Sequence, residues 1–194
     1  MKVKPIKKPR ILFTQWFCLY LALLLLLVPL RWLLAAAISI TVHEICHIVA
    51  IRAFGVPIDS IHIRLDGARI QASALTAWQE IICALAGPIG GLCLLPLARW
   101  FPVTALCAAF HSIYNLLPVY PQDGGRALRC GVKLLLNDKW ADVVCRAIEH
   151  ACLAIVGVLG LYGTFVLKAG VVPILFSIVF LRRSFGMKNS LQSA

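Results

Sequence analysis

The sequence predicts an all-α polytopic membrane protein with about six transmembrane helices and a short β-hairpin on the cytoplasmic side. The first observation is composition: 61% of the 194 residues are hydrophobic and only 14% are charged, against roughly 45–50% and roughly 25% in ordinary soluble domains. The second is that the apolar residues gather in runs close to the roughly 20 residues that cross a bilayer. An ordinary soluble enzyme and a nucleic-acid-binding protein are therefore excluded, because the chain has too little polar surface for either.

Charged and turn residues divide the chain into apolar stretches that define the predicted spans. They are residues 11–30, 33–51, 80–98, 101–120, 151–167 and 169–181. The first is interpreted as a retained span, because it is longer than the roughly 7–15 apolar residues of a cleaved signal peptide, which is the alternative. Residues 151–181 fit either two short helices with a turn around Lys168 to Gly170 or one long tilted helix.

Basic residues orient these spans. With the N-terminus in the cytoplasm, all but three of the 19 Lys and Arg residues fall on the inner side, the exceptions being Arg31, Arg99 and Lys168. The positive-inside rule therefore predicts that both termini are cytoplasmic, and it favours the two-helix interpretation of residues 151–181. The net charge of +11 is explained by this orientation and requires no acidic partner.

Two connections between the spans have patterns of their own. In residues 56–72, Ile61 and Ile63 alternate with polar residues, and Asp66-Gly67 is a strong tight-turn pair, which predicts a β-hairpin. An isolated two-stranded ribbon is marginal in water, so we expect it to rest on the helices or the lipid interface. Residues 126–150 mix basic and apolar side chains and predict an interfacial helix that leads into the fifth span.

The second span contains three ionisable residues in the run His43-Glu44-Ile45-Cys46-His47. At 100° per residue, His43 and His47 lie about 40° apart on one helix face, so both imidazoles can reach one metal ion. Glu44 lies about 100° round the helix, where it can act on water at the metal without being a ligand. This H-E-x-x-H pattern is used by zinc hydrolases, with the glutamate as general base.

A metal also explains why these residues lie in an apolar span. An ionisable group at the centre of a membrane costs about 2.5–3.5 kcal/mol, and a divalent cation offsets that cost. Catalytic zinc takes three protein ligands, and the third candidate is Asp123. Pro118, Pro121 and Gly124-Gly125 surround it and predict irregular backbone, which is tolerated at membrane depth where it lines a cavity. An ordinary helix-terminal carboxylate is the alternative interpretation of Asp123.

Other notable residues are interpreted as structural. Gly87 and Gly91 form a G-x-x-x-G pair, which lets a neighbouring helix approach closely and is assigned no chemistry. Cys46 is interpreted as a core thiol. His111 lies about 18 Å before Asp123 along a regular helix, which makes it a poor metal ligand.

Three motifs together resemble the site-2 protease family of intramembrane zinc metalloproteases. They are His43-Glu44-x-x-His47, Ala86-Gly87-Pro88 and Asn115-x-x-Pro118-x-x-Pro121-x-Asp123-Gly124. The sequence looks most like the bacterial branch that contains the stage IV sporulation protease, which processes a pro-sigma factor. The resemblance implies a single membrane-embedded metalloprotease domain over residues 1–194, with a core at about 33–130 and flanking helices at 11–30 and 151–181.

The resemblance also implies the chemistry of the site. It implies one Zn²⁺ per chain held by His43, His47 and Asp123, with Glu44 as the catalytic residue that activates water. The reaction is hydrolysis of a peptide bond within or next to the membrane segment of a membrane-associated protein. Asn115 matches the family asparagine that helps to hold the substrate strand.

The same resemblance implies a substrate platform and a cellular role. The hairpin matches a membrane-associated β-element of the family, against which an extended substrate can pair, and its candidate substrate-binding residues are Ile61, Ile63 and Ile70. The implied partners are a membrane-protein substrate and the lipid bilayer, without nucleic acid. The expected location is the bacterial cell membrane, and the expected product is a released regulatory factor such as a sigma or anti-sigma factor.

Two departures from the family pattern and two alternative functions accompany this interpretation. Gly90-Gly91 stands where many relatives have an asparagine, and the sequence has no nucleotide-sensing CBS domain like that of the sporulation enzyme. One alternative is a membrane metal transporter, which would need a wet path across the bilayer. The other is a catalytically inactive metal-binding scaffold, which would have no need of Glu44.

Overall fold

The computed structural model describes residues 10–13, 24–64, 67–72, 75–168 and 170–192. The helices with both ends described are α1 (Leu30–Ala53), α2 (Ala77–Leu92), α3 (Pro102–Leu116), α4 (Asp123–Leu135), α5 (Asp138–Phe165) and α6 (Val172–Gln192), and a 3₁₀ helix spans Leu95–Arg99. The strands are β1 (Arg10–Phe13), β2 (Ile58–Arg64) and β3 (Gly67–Ala72). The chain divides into two compact units, Met1–Asn115 and Leu116–Ala194.

Helix α1 begins directly after Pro29 and ends where the backbone turns at Gly55. Gly55 has a φ of 69°, a left-handed conformation that glycine adopts without strain, and its N–H donates to the Arg52 carbonyl at 2.9 Å. The buried residues of α1 recur at every fourth position: Ala35, Ser39, His43, His47 and Ile51. This stripe confirms the prediction that His43 and His47 share one face of a helix.

Helix α2 begins with a capping box. The Thr76 hydroxyl accepts a hydrogen bond from the Gln79 backbone N–H at 3.4 Å, and the Gln79 side chain accepts one from the Thr76 N–H at 2.9 Å. Further along, Gly90 lies so close to α1 that a Cβ atom there would be 2.8 Å from Cβ of Cys46, and Gly91 contacts Ser112 of α3 in the same way. The prediction that Gly87 and Gly91 allow close helix approach is confirmed for Gly91 here, and Gly90 is a further close contact that was not predicted.

The three strands form one sheet in the order β1-β2-β3, with β2 in the middle. β2 pairs antiparallel with β3, bringing Ile61 opposite Ile70, and parallel with β1, bringing Ile61 opposite Ile11. The prediction that a helix begins at residue 11 is therefore wrong for residues 11–13, because a short apolar run has no periodicity that distinguishes a strand from a helix. The rest of that predicted span up to residue 23, and the turn pair at residue 66, lie outside the described residues.

Two other predicted boundaries also change. The predicted span at 101–120 is the helix Pro102–Leu116, which at 15 residues is about 22 Å long and ends before Pro118. The predicted interfacial helix at 126–150 is divided between α4 and the first half of α5. The break lies at Asn137, whose side chain accepts a hydrogen bond from the Trp140 N–H at 3.1 Å and so starts a new helix.

Helices α5 and α6 form a pair joined by a turn. Lys168 and Gly170 both have positive φ angles, 51° and 77°, and the chain reverses between Phe165 and Val172. The Ser177 hydroxyl of α6 donates to the Val156 carbonyl of α5 at 3.0 Å. The two-helix interpretation of residues 151–181 is confirmed, because the helix breaks where the predicted turn residues lie.

The helices of the described residues are those of a membrane protein. Three are long and apolar enough to cross a bilayer by length and composition: Leu30–Ala53, Ala77–Arg99 counted with its 3₁₀ extension, and Asp138–Phe165. A shorter apolar helix covers Val172–Arg182. Large apolar side chains along these helices are exposed, as expected where lipid is the solvent. The chain is thus a polytopic helical membrane protein.

Candidate metal centre

The two histidines of α1 converge on one point. Their Nε2 atoms are 3.0 Å apart, and the ring centroids are 4.7 Å apart with the ring planes at 82°. Both side chains are buried, with 2% of His43 and 7% of His47 exposed. Two imidazole nitrogens that face each other at this distance offer two lone pairs to one cation, which is the arrangement that the i, i+4 spacing predicts.

A hydrogen bond to α2 fixes how His47 presents its ring. Nδ1 of His47 lies 2.6 Å from the carbonyl oxygen of Cys83, and a carbonyl oxygen can only accept, so Nδ1 carries the proton and donates it. Nε2 of the neutral ring is then the unprotonated nitrogen, which is the form that binds a metal. Backbone carbonyls hold metal-binding histidines in this way in many sites and fix both tautomer and ring orientation.

Gly87 of α2 faces the two imidazoles directly. A Cβ atom built at Gly87 would lie 2.8 Å from Nε2 of His43 and 2.6 Å from Cε1 of His47, and it would overlap Nε2 of His47. The missing side chain therefore leaves open the space in front of the two donor nitrogens. The sequence identified Gly87 only as a packing residue, so this role was missed.

Replacing Gly87 by alanine should remove metal from the protein. The new methyl group would occupy the space at the two Nε2 atoms, and we expect zinc affinity to fall by at least the roughly 10–100-fold that changes around metal ligands cause. Zinc per chain, measured by mass spectrometry of the purified protein, tests this. The matched control is Gly157→Ala, because Gly157 of α5 is also a helical glycine and has open space around its Cβ position. Full zinc content in Gly87→Ala would show that the space is not needed.

Two further residues of α1 and one of α3 have a bearing on the pair. Glu44 follows His43 on α1 and is partly buried. The His111 ring of α3 packs edge-on against His43, with centroids 4.6 Å apart and ring planes at 75°. Cys46 packs against Gly90 where α1 and α2 meet, which fits its interpretation as a core thiol. The contact of His111 was missed, because the sequence argument measured its distance only along its own helix.

Asp123 belongs to the second unit and is the first residue of α4. Its side chain is buried, and Arg126 donates to Oδ1 at 3.4 Å, one helical turn further on. The two glycines after it are required by the backbone: a Cβ at Gly124 would be 2.8 Å from the Leu117 carbonyl oxygen, and one at Gly125 would be 2.6 Å from the Tyr120 nitrogen. The predicted irregular backbone is found only before Asp123, where residues 117–122 form turns and bends. For Asp123 and the two glycines the prediction is wrong, because all three lie in α4, and the glycines are needed for close approach rather than for an unusual turn.

The described residues offer a donor set that suits zinc. His43, His47 and Asp123 are each buried and each can supply one ligand atom, a ring nitrogen or a carboxylate oxygen. Two imidazoles and one carboxylate are ligands that zinc takes in catalytic sites, which leave a fourth position open. The open space at Gly87 and the fixed tautomer of His47 support the same fit.

The predicted substrate-binding residues all lie in the first unit. Asn115 is in the last turn of α3, Ile61 and Ile63 are on the middle strand β2, and Ile70 is on the outer strand β3. Asn115 is hydrogen-bonded to His111. β2 is bordered by a strand on both sides, so the edge of the hairpin that has no described neighbour is that of β3.

A buried carboxylate in the second unit was also missed. Glu149 of α5 is only 3% exposed and lines a small cavity with Tyr120 and Arg129, whose guanidinium lies 5.5 Å from the Tyr120 ring centroid. The sequence could have indicated this residue, since Glu149 is an acidic residue next to an apolar run. A carboxylate buried there needs specific polar partners.

Comparison with known proteins supports the family resemblance. The structure is similar to that of the site-2 protease from Methanocaldococcus jannaschii, with a TM-score of 0.62 and 21% sequence identity over 92% of this chain and 90% of that chain. A zinc metalloprotease of the same organism is 27% identical over 106 residues, which cover 47% of this chain and 31% of that protein. The chain therefore spans less than a third of the length of the curated relative that it matches. No family model matches the sequence.

These findings define the class of protein. The chain is a polytopic helical membrane protein with the fold of a site-2 protease and with a buried imidazole pair suited to a metal. The resemblance predicted from three sequence motifs is confirmed by a similar structure and by a similar zinc metalloprotease sequence.

Proposed function

We propose that the protein is an intramembrane zinc metalloprotease, which hydrolyses a peptide bond within or next to the membrane segment of a membrane-associated protein. The observation that carries this proposal is the buried pair of Nε2 atoms in α1, 3.0 Å apart, with the cleared space at Gly87 before them. Zinc held by these two nitrogens and one carboxylate would keep its fourth position for water, as catalytic sites do, whereas structural sites use four protein ligands.

The proposed metal is one Zn²⁺ per chain, with Asp123 as the third ligand beside His43 and His47. Two observations support this role for Asp123. Its side chain is buried, and its neighbour Gly124 packs tightly against the backbone of the preceding turn. A buried carboxylate is stabilised by nearby positive charge, which Arg126 supplies at 3.4 Å and which a metal ion would also supply.

Glu44 is the proposed general base. Bound zinc supplies Lewis-acid chemistry, since it lowers the pKa of water to about 7 and polarises carbonyl groups. The Glu44 carboxylate accepts a proton from the attacking water as the water oxygen bonds to the scissile carbonyl carbon. When the C–N bond breaks, Glu44 delivers that proton to the leaving amine. Glu44 suits this role because it follows His43 directly but points about 100° away from it around α1.

The finer topology belongs to the proposal as well. We propose six spans with both termini in the cytoplasm, because that orientation leaves only Arg31, Arg99 and Lys168 outside. Residues 1–194 then act as one protease domain in a bacterial cell membrane. The proposed physiological product is a released sigma or anti-sigma factor, which rests on the family resemblance alone.

Reconstitution in vesicles tests this function against both alternatives. We expect the wild-type chain, mixed with a panel of tagged single-span proteins that carry helix-breaking residues, to produce shortened products that disappear when zinc is chelated. A zinc-sensitive dye inside the same vesicles should not respond. A dye response without products would establish a metal transporter, and bound zinc with no products across the panel would establish an inactive scaffold.

The proposed substrate platform is the edge of β3. A substrate must unwind before cleavage, which leaves backbone N–H and C=O groups unpaired, and strand addition satisfies them. Replacing Ile70 by proline removes one backbone donor from this strand, and we expect cleavage to fall by about 3–10-fold, the effect of one hydrogen bond, while zinc is retained. Ile70→Thr keeps the N–H and is the matched control.

Proline on the middle strand tests the same proposal differently. At Ile61 or Ile63 the change removes a donor from β2, which is paired on both sides, so we expect a disturbed sheet. If proline at Ile61, Ile63 and Ile70 leaves fold and cleavage rate unchanged in every case, the hairpin is not the platform. The substrate is then held by Asn115 and the backbone of its helix instead.

A further inference from the structure

The side-chain amide of Asn115 is held by two contacts to one residue. Its Nδ2 atom lies 2.9 Å from the backbone carbonyl oxygen of His111 and 3.2 Å from Nε2 of the His111 ring. His111 is one helical turn before Asn115 on α3, so both contacts form within a single turn of helix. Asn115 is only partly buried, and it belongs to the last turn before α3 ends at Leu116.

The chemistry of these partners fixes which way the amide points. A carbonyl oxygen can only accept, so the atom facing it must be the NH₂ group. An amide NH₂ has two hydrogens, and the two His111 acceptors use both of them. The remaining polar atom of Asn115, the carbonyl oxygen Oδ1, is directed away from His111 and can only accept a hydrogen bond.

The His111 ring is itself held in place by a predicted metal ligand. Its edge-on contact with His43, at 4.6 Å between centroids and 75° between planes, joins α3 to α1. The ring therefore links the Asn115 amide to the imidazole pair, with one ring between them. Asn115, His111 and His43 all belong to the first unit.

We propose that His111 is a positioning residue for substrate: it holds Asn115 so that Oδ1 accepts a backbone N–H from an unwound substrate next to the metal site. This inference rests on the proposed function. The group recognised is a main-chain N–H, so the contact is independent of substrate side chains but fails where the substrate nitrogen has no hydrogen.

The test is a double-mutant cycle for binding, measured in the Glu44→Gln background so that no cleavage intervenes. The probe is a fluorescent peptide with the sequence of a single membrane span that carries helix-breaking residues, and its Kd is measured by anisotropy in detergent. We expect His111→Phe and Asn115→Ala each to weaken binding by about 3–10-fold, and the double variant to be no weaker than Asn115→Ala alone. His111→Gln, whose side-chain oxygen also accepts, should bind within about twofold of the parent.

The outcomes separate this inference from its alternatives. The inference is overturned if His111→Phe leaves binding unchanged. It is also overturned if the effects of His111→Phe and Asn115→Ala multiply in the double variant. A loss of zinc in His111→Phe would also overturn it, because His111 would then act by supporting His43. Peptides that are N-methylated at one position each provide a second measurement. Methylation at one position should weaken binding to the parent. That penalty should vanish in Asn115→Ala and become smaller in His111→Phe, which keeps the backbone carbonyl contact. Absence of cleavage by the wild-type chain would count against the proposed function and leave this binding cycle intact.

Discussion

Glu44→Gln should abolish proteolysis while the protein keeps its zinc. Glutamine has the same shape as glutamate but cannot accept a proton, so the change removes the general base and leaves the histidines of α1 undisturbed. General-base catalysis contributes about 10²–10⁴-fold, and we expect at least that loss in kcat. The measurement is the rate of product formation from a single-span substrate in vesicles, together with zinc per chain on the same preparation.

The matched control for this change is Glu80→Gln, which alters a glutamate in the first turn of α2. We expect it to keep activity within about twofold, since a change of one charge at a helix start has a small effect. Residual activity of Glu44→Gln within about tenfold of wild type would rule out the general-base role. Loss of zinc in that variant would show instead that Glu44 supports the metal.

Asp123→Asn should lower zinc affinity more than any change that leaves the ligands intact. Asparagine keeps the volume of the side chain but offers a neutral oxygen, which is a far weaker ligand for zinc than a carboxylate. We expect a loss beyond the roughly 10–100-fold that outer-shell changes produce. Competition with a chromophoric zinc chelator measures this affinity directly.

Asp138→Asn is the control, because both aspartates begin a helix beside a basic side chain, although Asp123 is buried and the Asp138 side chain is exposed. Each is the first residue of its helix, and each lies 3.4 Å from a basic side chain, Arg126 for Asp123 and Lys133 for Asp138. Exposed ion pairs contribute little to stability, so the fold should tolerate Asp138→Asn, and Asp123→Asn is isosteric and keeps a polar side chain at its buried position. Equal zinc affinity in the two variants would remove Asp123 from the metal site.

Local geometry explains which features could be predicted from the sequence. The shared face of His43 and His47 follows from the helical repeat alone, and it needs no knowledge of any other helix. The turn at Lys168 and Gly170 likewise follows from the local sequence, because glycine disfavours a helix at its own position. The turn before Asp123 was predictable because Pro118 and Pro121 fix their own φ angles and lack a backbone donor, which ends α3.

Long-range contacts explain the rest. Gly87 could be recognised as a place of close approach, but the sequence does not say that the approaching groups are imidazoles. His111 was judged by its distance along its own helix, whereas its partner His43 is on another. Strand β1 pairs with β2 about 50 residues away, and nothing within Arg10–Phe13 distinguishes it from the start of a helix.

The hydrogen-bond partner of His47 on α2 is a main-chain oxygen, and this affects which substitutions the protein can tolerate during evolution. No substitution at residue 83 deletes the carbonyl that receives the His47 proton, because every amino acid has one. Mutations at that position can harm the protein through side-chain packing, but they leave the imidazole's tautomer specified. A survey of variants at residue 83 would therefore reveal nothing about this hydrogen bond, although the bond determines which nitrogen of His47 is available to a metal.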